Sequence, residues 1–132
     1  MQVKLAILAD GANLSREGKL NVLGIFDTVF ARSFPTTHAQ MQLVVRFEAT
    51  AAEIGTTHTI DVQLLAPAGP ALFQLSGTLT VPQPVLGGDT VGVDHILSFA
   101  NVRFEAPGRH AFRIAVDGAE SATVPLRVEQ VH

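Results

Sequence analysis

Apolar and polar residues alternate with a period of two along most of the chain, and this pattern predicts β-strands. In the first segment, Val3, Leu5 and Ile7 alternate with Lys4 and Ala6, which predicts that the first three share one buried face. No segment keeps a helical period, and Gly, Pro and Asp interrupt the alternation. The predicted strands cover residues 3–7, 20–26, 29–34, 41–47, 59–64, 72–81, 95–104, 110–116 and 123–131.

Turn-forming residues separate these strands. Residues 10–18 form a predicted polar connection, residues 67–70 a turn, and residues 82–89 the longest interruption of all. Asp117-Gly118 is a hairpin signal between two alternating segments.

Two strands and one connection carry signs of local irregularity. Gly24 lies inside a strand, which predicts a bulge or a close backbone approach. A bulge is also predicted near Asn101. Between two strands, Thr50 and Glu53 have the spacing of a capping box, which predicts a single helical turn within residues 49–54.

Regularly spaced strands with short polar turns are typical of an antiparallel sandwich. The chain has 132 residues, the usual size of one domain. We therefore expect a single all-β antiparallel sandwich of about eight strands over residues 1–132, immunoglobulin-like or jelly-roll-like.

The composition favours burial and self-association. Charged residues make up 16% of the chain, against about 25% in typical soluble domains, so part of the surface is expected to be hidden in an oligomer. Eight Phe without Tyr or Trp indicate core packing rather than stacking on a ligand. The absence of Cys excludes disulfides, thiolate metal sites and a Cys nucleophile.

The cations are unevenly distributed. Residues 47–102 contain no Lys or Arg. Edge strands usually carry Lys, which repels other edges, so this block indicates either central strands or an edge that is available to another chain. If the protein oligomerises, residues 41–99 are expected to provide most of the contact. The acids of the block are Glu48, Glu53, Asp61, Asp89 and Asp94.

Three histidines are candidate metal or ligand residues. His58, His95 and His110 each share the parity of apolar neighbours and lie at or near a predicted strand start. They could bind a metal if the strand ends met. However, no pair has ligand spacing, and strand-terminal histidines commonly hydrogen-bond to backbone, so we expect no metal and no cofactor.

Other chemistry is disfavoured by residue placement. Five of the six Asp residues lie mostly at strand ends, where turns favour Asp, and they form no calcium-binding cluster: Asp27, Asp61, Asp89, Asp94 and Asp117. Asp94, His95 and Ser98 are close in sequence, but Asp94 and His95 point to opposite faces of a strand. There is no nucleophile elbow and no P-loop. We therefore expect that the protein is not an enzyme and that it has no catalytic residues.

Charge and hydropathy also bear on partners and location. The net charge is −3 and no basic stripe with aromatic residues occurs, so binding to nucleic acid is not expected. No apolar run approaches the ~20 residues of a membrane helix, so no membrane association is expected. The first eight residues lack the features of a signal peptide, which favours a cytoplasmic location.

Two stretches resemble a family of small bacterial domains of unknown function. Residues 18–27, GKLNVLGIFD, followed by Phe34-Pro35, resemble its N-terminal signature. Residues 104–114, FEAPGRHAFRI, followed by Asp117-Gly118, resemble its C-terminal pattern. The resemblance implies a sandwich fold and supplies no activity, cofactor or site residue.

The function that these observations favour is a non-catalytic protein-binding or assembly module that acts as a homo-oligomer. Two alternatives stay open. One is a small-ligand or metal-binding domain that uses the strand-end histidines, and the other is a phage- or particle-associated structural component.

Overall fold

The computed structural model describes residues 1–84 and 87–132. The predicted all-β sandwich is confirmed, with nine strands among these residues. They are β1 (Gln2–Leu14), β2 (Leu20–Phe26), β3 (Thr28–Ala31), β4 (Thr36–Thr50), β5 (Thr57–Leu65), β6 (Ala71–Thr80), β7 (Thr90–Phe104), β8 (Gly108–Val116) and β9 (Ala119–Gln130). Two residues of the predicted 82–89 interruption, 85 and 86, lie outside the described residues.

The strands form two sheets. The four-stranded sheet has the order β2-β1-β4-β7, and the five-stranded sheet has the order β3-β9-β8-β5-β6. Neighbours are antiparallel, except that β3 runs parallel to β9. The edge strands are therefore β2 and β7 in one sheet and β3 and β6 in the other.

The core lies between the sheets and is built by the alternation that the sequence shows. Phe47 of β4, Phe104 of β7 and Phe112 of β8 are among its largest fully buried side chains. The ring of Phe112 stacks on Phe99 at a centroid distance of 5.4 Å and meets Phe73 edge-on at 6.2 Å. These contacts join β8 to the edge strands β6 and β7, so these aromatic residues serve as core, as predicted, whereas Phe30 is 62% exposed.

A bulge in β1 changes which of its side chains face the core. Val3 pairs with Phe47, but Leu5 pairs with Arg46, so the register shifts by one residue at Lys4. A one-residue shift moves every following side chain to the other face. The prediction that Val3, Leu5 and Ile7 share one buried face is thus wrong, because Leu5 and Ile7 point outward.

The predicted connection over residues 10–18 is also shorter than expected. Strand β1 continues to Leu14 and pairs with β2 as far as Leu20, so only a tight turn remains, closed by the Ser15 amide donating to the Lys19 carbonyl at 2.7 Å. Gly24 has a φ of +69°, and a Cβ there would lie 2.9 Å from Asp10 Cγ. The register on either side of Gly24 is unbroken, so the predicted bulge is absent, and the group that lies close to Gly24 is the side chain of Asp10 rather than another backbone segment.

Strands β4 and β7 are longer than predicted and pair along nearly their whole length. Asn101 has a φ of +54°, yet His38 pairs with Val102 and Gln40 with Ala100, so the register continues past it. The bulge predicted near Asn101 is therefore absent, and only the local backbone is irregular.

Three further predicted turns are confirmed. Residues 51–53 form a 3₁₀ turn, and the Thr50 amide donates to Glu53 Oε1 at 3.0 Å. The Gly69 amide donates to the Ala66 carbonyl in the turn between β5 and β6. Asp117 has a φ of +52° in the turn between β8 and β9.

Candidate interaction surface

The outer face of the four-stranded sheet carries an apolar surface that crosses all four strands. We name it the outer-face patch. Strands β1 and β2 supply its exposed part, whereas Val44 at its centre is fully covered by its neighbours. The patch consists of Leu5, Ile7, Leu23, Ile25, Val44 and Ile96.

Register explains how these side chains meet. Val44 of β4 pairs with Ile7 on one side and with Ile96 on the other, so the three lie in one row. Leu23 and Ile25 lie on the same face of β2 and are 72% and 66% exposed. Large apolar side chains exposed side by side on one sheet face are typical of an interaction site.

Polar pairs lie beside the apolar row. Arg46 binds Asp94 in a bidentate ion pair, with N–O distances of 2.6 and 2.9 Å. This hydrogen bond to Asp94 raises the pKa of Arg46. Gln42 Nε2 donates to Ser98 Oγ at 2.9 Å, while Gln42 Oε1 is shielded and accepts no hydrogen bond from the part of the chain that the structure describes. The patch thus has a mixed-charge polar flank on β4 and β7.

The three candidate histidines lie apart. His58 and His110 are both in the five-stranded sheet but near opposite ends of its ladder, because Ile60 pairs with Val116 while Leu65 pairs with Ala111. His95 belongs to the other sheet, where it pairs with Val45. Across residues 1–84 and 87–132, no three His, Asp or Glu side chains are grouped closely enough to hold a metal ion.

His110 is a core residue. Its ring packs edge-on against Phe104 at 5.1 Å, and Nδ1 lies 3.2 Å from the Gly108 carbonyl oxygen. Burial lowers the pKa of His110, since removal from water disfavours the charged form. The side chain therefore supports the strand start, in agreement with backbone hydrogen bonding by strand-terminal histidines.

His58 belongs to a network of polar side chains at the end of the sandwich. Its Nδ1 lies 2.7 Å from Asp117 Oδ2, and its Nε2 lies 2.8 Å from Thr56 Oγ1 and 3.8 Å from Glu53 Oε2. The hydrogen bond to His58, followed by one from the Thr59 amide, lowers the pKa of Asp117. The network ties the turn between β8 and β9 to the start of β5.

Acidification tests this network through Glu53. A hydrogen bond from the terminal ammonium of Met1, followed by one from the Thr50 amide, lowers the pKa of Glu53 from 4.5 to about 2. The unfolded chain therefore takes up this proton first, so the stabilisation by the ionised carboxylate is complete above pH 4.5 and is lost as the pH falls towards 2. As the pH falls from 4.5 towards 2, we expect the stability gap between the native chain and Glu53→Gln to close.

Urea unfolding at a series of pH values measures this gap. Glu105→Gln is the control, because Glu105 pairs with Arg103 on the surface and its side chain is 66% exposed. A gap for Glu53→Gln that is unchanged across the acidic range would contradict the lowered pKa.

His95 lines a small apolar cavity between β6 and β7. The cavity has a volume of about 70 Å³, and most of its walls are core side chains such as Val62 and Ile114. His95 is partly buried and is the ionisable residue of the wall. The cavity suits a small apolar group better than a polar ligand.

Asp94, His95 and Asp61, the remaining residues considered for catalysis or calcium binding, do not come together in one site. Asp94 lies on the outer face with Arg46, while its neighbour His95 points inward, so the sequence-adjacent Asp94 and His95 form no relay. Asp61 accepts a hydrogen bond from Ser76 on the outer face of the other sheet.

Several surface arginines are paired with acids. Arg103 binds Glu105 at 2.7 Å and Arg127 binds Glu129 at 3.0 Å. Arg113 Nε lies 3.6 Å from Glu120 Oε2 on the outer face of β8. Because each of these arginines is paired with a nearby acid, the three do not form a continuous basic stripe.

The outer-face patch could not be found from alternation alone. Alternation predicts a buried Leu5 and Ile7, and the Lys4 bulge reverses that assignment. One signal was present in the sequence: β2 is apolar at Val22 and Leu23 in succession and again at Ile25 and Phe26, so one face of this strand had to expose large side chains.

No helix among the described residues is long and apolar enough to cross a membrane. A model of a family of unknown function, DUF6941, matches residues 4–129. No curated protein matches the chain.

Among solved structures, the chain is similar to the Pseudomonas fluorescens alkylpurine DNA glycosylase AlkC bound to DNA containing an abasic site analog. The identity is 15% and the TM-score 0.43, and the match covers 78% of this chain but only 27% of the glycosylase chain. A similarity at this level supports no argument about function. The family match, in contrast, spans nearly the whole sequence, so this chain belongs to the family of unknown function DUF6941.

Proposed function

We propose that this chain is a non-catalytic assembly module that forms a homodimer through the outer-face patch. The observation that carries the proposal is the exposure of Leu23 and Ile25, 72% and 66%, beside a continuous apolar row on the same sheet face. Burying such side chains contributes about 25 cal/mol for each Å² of apolar surface removed from water.

The size of this face fits a stable dimer. Four strands spaced about 4.8 Å apart, with about 12 residues rising about 3.3 Å each, make a face of about 750 Å². A standard protein interface buries about 800 Å² on each partner. One face of the sheet is therefore large enough, and neither copy needs a second surface.

A second copy of the chain is the occupant that we favour. Around a two-fold axis the same patch meets itself, so an apolar row is its own complement. The flank contains Arg46 and Asp94, one charge of each sign, which does not oppose pairing with an identical flank. This proposal moves much of the contact from residues 41–99 to β1 and β2, while β4 and β7 supply the rest.

Sedimentation equilibrium tests the dimer. We expect the native chain to be dimeric at micromolar concentration and Ile25→Asp to weaken association by about a hundredfold or more, because a charge would be desolvated at the interface. Phe30→Asp is the matched control, since Phe30 is 62% exposed on β3, in the other sheet. The native chain sedimenting as a monomer at high micromolar concentration, or Phe30→Asp dissociating the dimer instead, would overturn the proposal.

We extend the proposal to the topology of the sheets, to nucleic acid and to the location of the protein. The order β9-β8-β5-β6 corresponds to the G-F-C-C′ order of immunoglobulin-like sheets, which supports that topology over a jelly roll. The net charge of −3 and the paired arginines support the expectation that nucleic acid is not a partner. A cytoplasmic location and the lack of enzymatic activity are further parts of the proposal.

A particle-associated role would require more than this contact. A two-fold interface closes on itself and stops growth at the dimer, whereas a tiling component needs a second, different contact. The small-ligand alternative finds its best support at the cavity beside His95.

A further inference from the structure

On one side of the sandwich both sheets end, with β6 and β7 as edge strands, and no further strand of the described residues pairs with them. β6 has 10 residues and β7 has 15, and neither carries Lys or Pro. Their one cation is Arg103, near the end of β7. On the opposite side, the edge strands β2 and β3 have only 7 and 4 residues. Short edges resist pairing with other chains, whereas long edges without Lys or Pro invite it. On β6 the register shifts by one residue at Leu72, so β7 has the longer uninterrupted edge.

A glycine makes the cavity between these two edges. Gly77 pairs with Ile60, a core residue, so it occupies an inward-facing position of β6 where Leu75 and Leu79 supply side chains on either side. A Cβ at Gly77 would meet no atom within 4 Å. The missing side chain leaves the cavity of about 70 Å³.

The cavity is shaped for one aliphatic side chain. Its volume of about 70 Å³ is less than half of the roughly 150 Å³ that accommodates a benzene ring in an engineered core. A group of a few carbon atoms therefore fits. His95 borders the cavity from β7 and makes no side-chain hydrogen bond within the described residues, so its ring can bind a backbone group that arrives there.

We propose that this groove accepts an extended segment of a partner protein. The segment adds to the free edge of β7 as a strand, and one of its Val, Ile or Leu side chains enters the Gly77 cavity. Backbone hydrogen bonds along the edge supply affinity, and the cavity selects the residue that faces inward.

Charge adds a preference at one end of the segment. Asp94 is paired with Arg46 on the outer face and Arg103 lies near the end of β7, while Asp89, just before β7, is exposed. A segment with Lys or Arg at the end that meets Asp89 complements this carboxylate, whereas an acidic residue there is repelled. The occupant is thus an aliphatic, neutral-to-basic strand without Pro at its pairing positions.

Calorimetry with a synthetic probe tests the groove. The probe is an acetylated peptide of alternating threonine and valine with a lysine at each end. Gly77→Val fills the cavity from within, and we expect it to weaken binding by at least about tenfold. Gly77→Ala fills less of it and should have a smaller effect in the same direction.

A matched control exists on the neighbouring edge. Gly92 lies on β7 and faces the other side of the sheet, and a Cβ at Gly92 would meet no atom within 4 Å. Gly92→Val therefore makes the same chemical change outside the cavity and should leave affinity within about twofold. A peptide with alanine in place of valine should bind the native chain more weakly than the probe.

The outcomes separate this groove from the dimer interface. We expect Ile25→Asp to bind the probe normally and Gly77→Val to retain the native association state. Probe-induced amide shifts in NMR spectra should concentrate in β6 and β7. No binding at about 1 mM probe, equal affinity of Gly77→Val and the native chain, or shifts confined to β2 and β3 would overturn the proposal.

Discussion

Replacing Phe112 by alanine is expected to lower the free energy of unfolding by about 3–5 kcal/mol. Phe112 is fully buried in β8, and its ring contacts both Phe99 and Phe73. The substitution removes a large apolar group and leaves a cavity that these rings cannot close, because each is held by its own strand. Urea denaturation with an unchanged slope would measure the loss.

An exposed aromatic residue supplies the control for this result. Phe30 is 62% exposed, so Phe30→Ala should change the unfolding free energy by less than about 0.5 kcal/mol. Equal losses for Phe112→Ala and Phe30→Ala would contradict the assignment of Phe112 to the centre of the core. Because Phe112 links β8 to β6 and β7, its loss should also reduce amide protection in these two edge strands.

The sequence was sufficient to predict an all-β antiparallel sandwich, although not the order of its strands. Alternation along residues 59–64 and 110–116 correctly identifies the side chains that face the core. Val62, Leu64 and Ile114 occupy apolar alternate positions, and all three are fully buried. The turn at Asp117-Gly118 could also be predicted from its residue types, and both residues take positive φ. Such features depend on neighbours in sequence, which is the information that a single chain provides.

Features that depend on pairing between strands could not be predicted in the same way. The Lys4 bulge exists only relative to β4, because the extra residue is defined by the partner strand. The Asp10–Gly24 approach likewise depends on the register of β1 against β2. The outer-face patch follows from these registers, so its residues could not be predicted from the alternation within one strand.

The uneven distribution of cations was informative about strand positions. Sequence reasoning left open whether residues 47–102 form central strands or a free edge. The structure contains both, since β5 is interior while β6 and β7 are edges. The absence of Lys therefore matters most on β6 and β7, the two adjacent edge strands, which carry no Lys to repel another chain.

In the C-terminal pattern that resembles the family, residues 104–114 and Asp117-Gly118, several residues have clear structural roles. Phe104, Phe112 and Ile114 are fully buried core residues, and Asp117-Gly118 forms the turn between β8 and β9. The glycine of the pattern, Gly108, is required by its surroundings. The pattern therefore records how β7, β8 and β9 pack.

Gly108→Ala should be strongly destabilising, by about 2–4 kcal/mol. Gly108 has a φ of +145°, a conformation that residues with a Cβ rarely adopt. A Cβ at this position would lie 2.6 Å from Pro67 Cγ and 3.2 Å from Pro67 Cβ. The turn between β5 and β6 and the start of β8 would have to separate, which would disturb the adjoining core.

A double-mutant cycle can separate the collision from the backbone strain. Gly69→Ala is the control for strain, since Gly69 has a φ of +105° but a Cβ there would meet no atom within 4 Å. Pro67→Ala removes the Cγ that causes the closest collision, so Gly108→Ala should cost less in that background than in the native chain, and the coupling between the two changes should be about 1 kcal/mol or more. Strict additivity of Pro67→Ala and Gly108→Ala would show that strain alone excludes a side chain at Gly108, and that the contact between these two turns is not what fixes the start of β8.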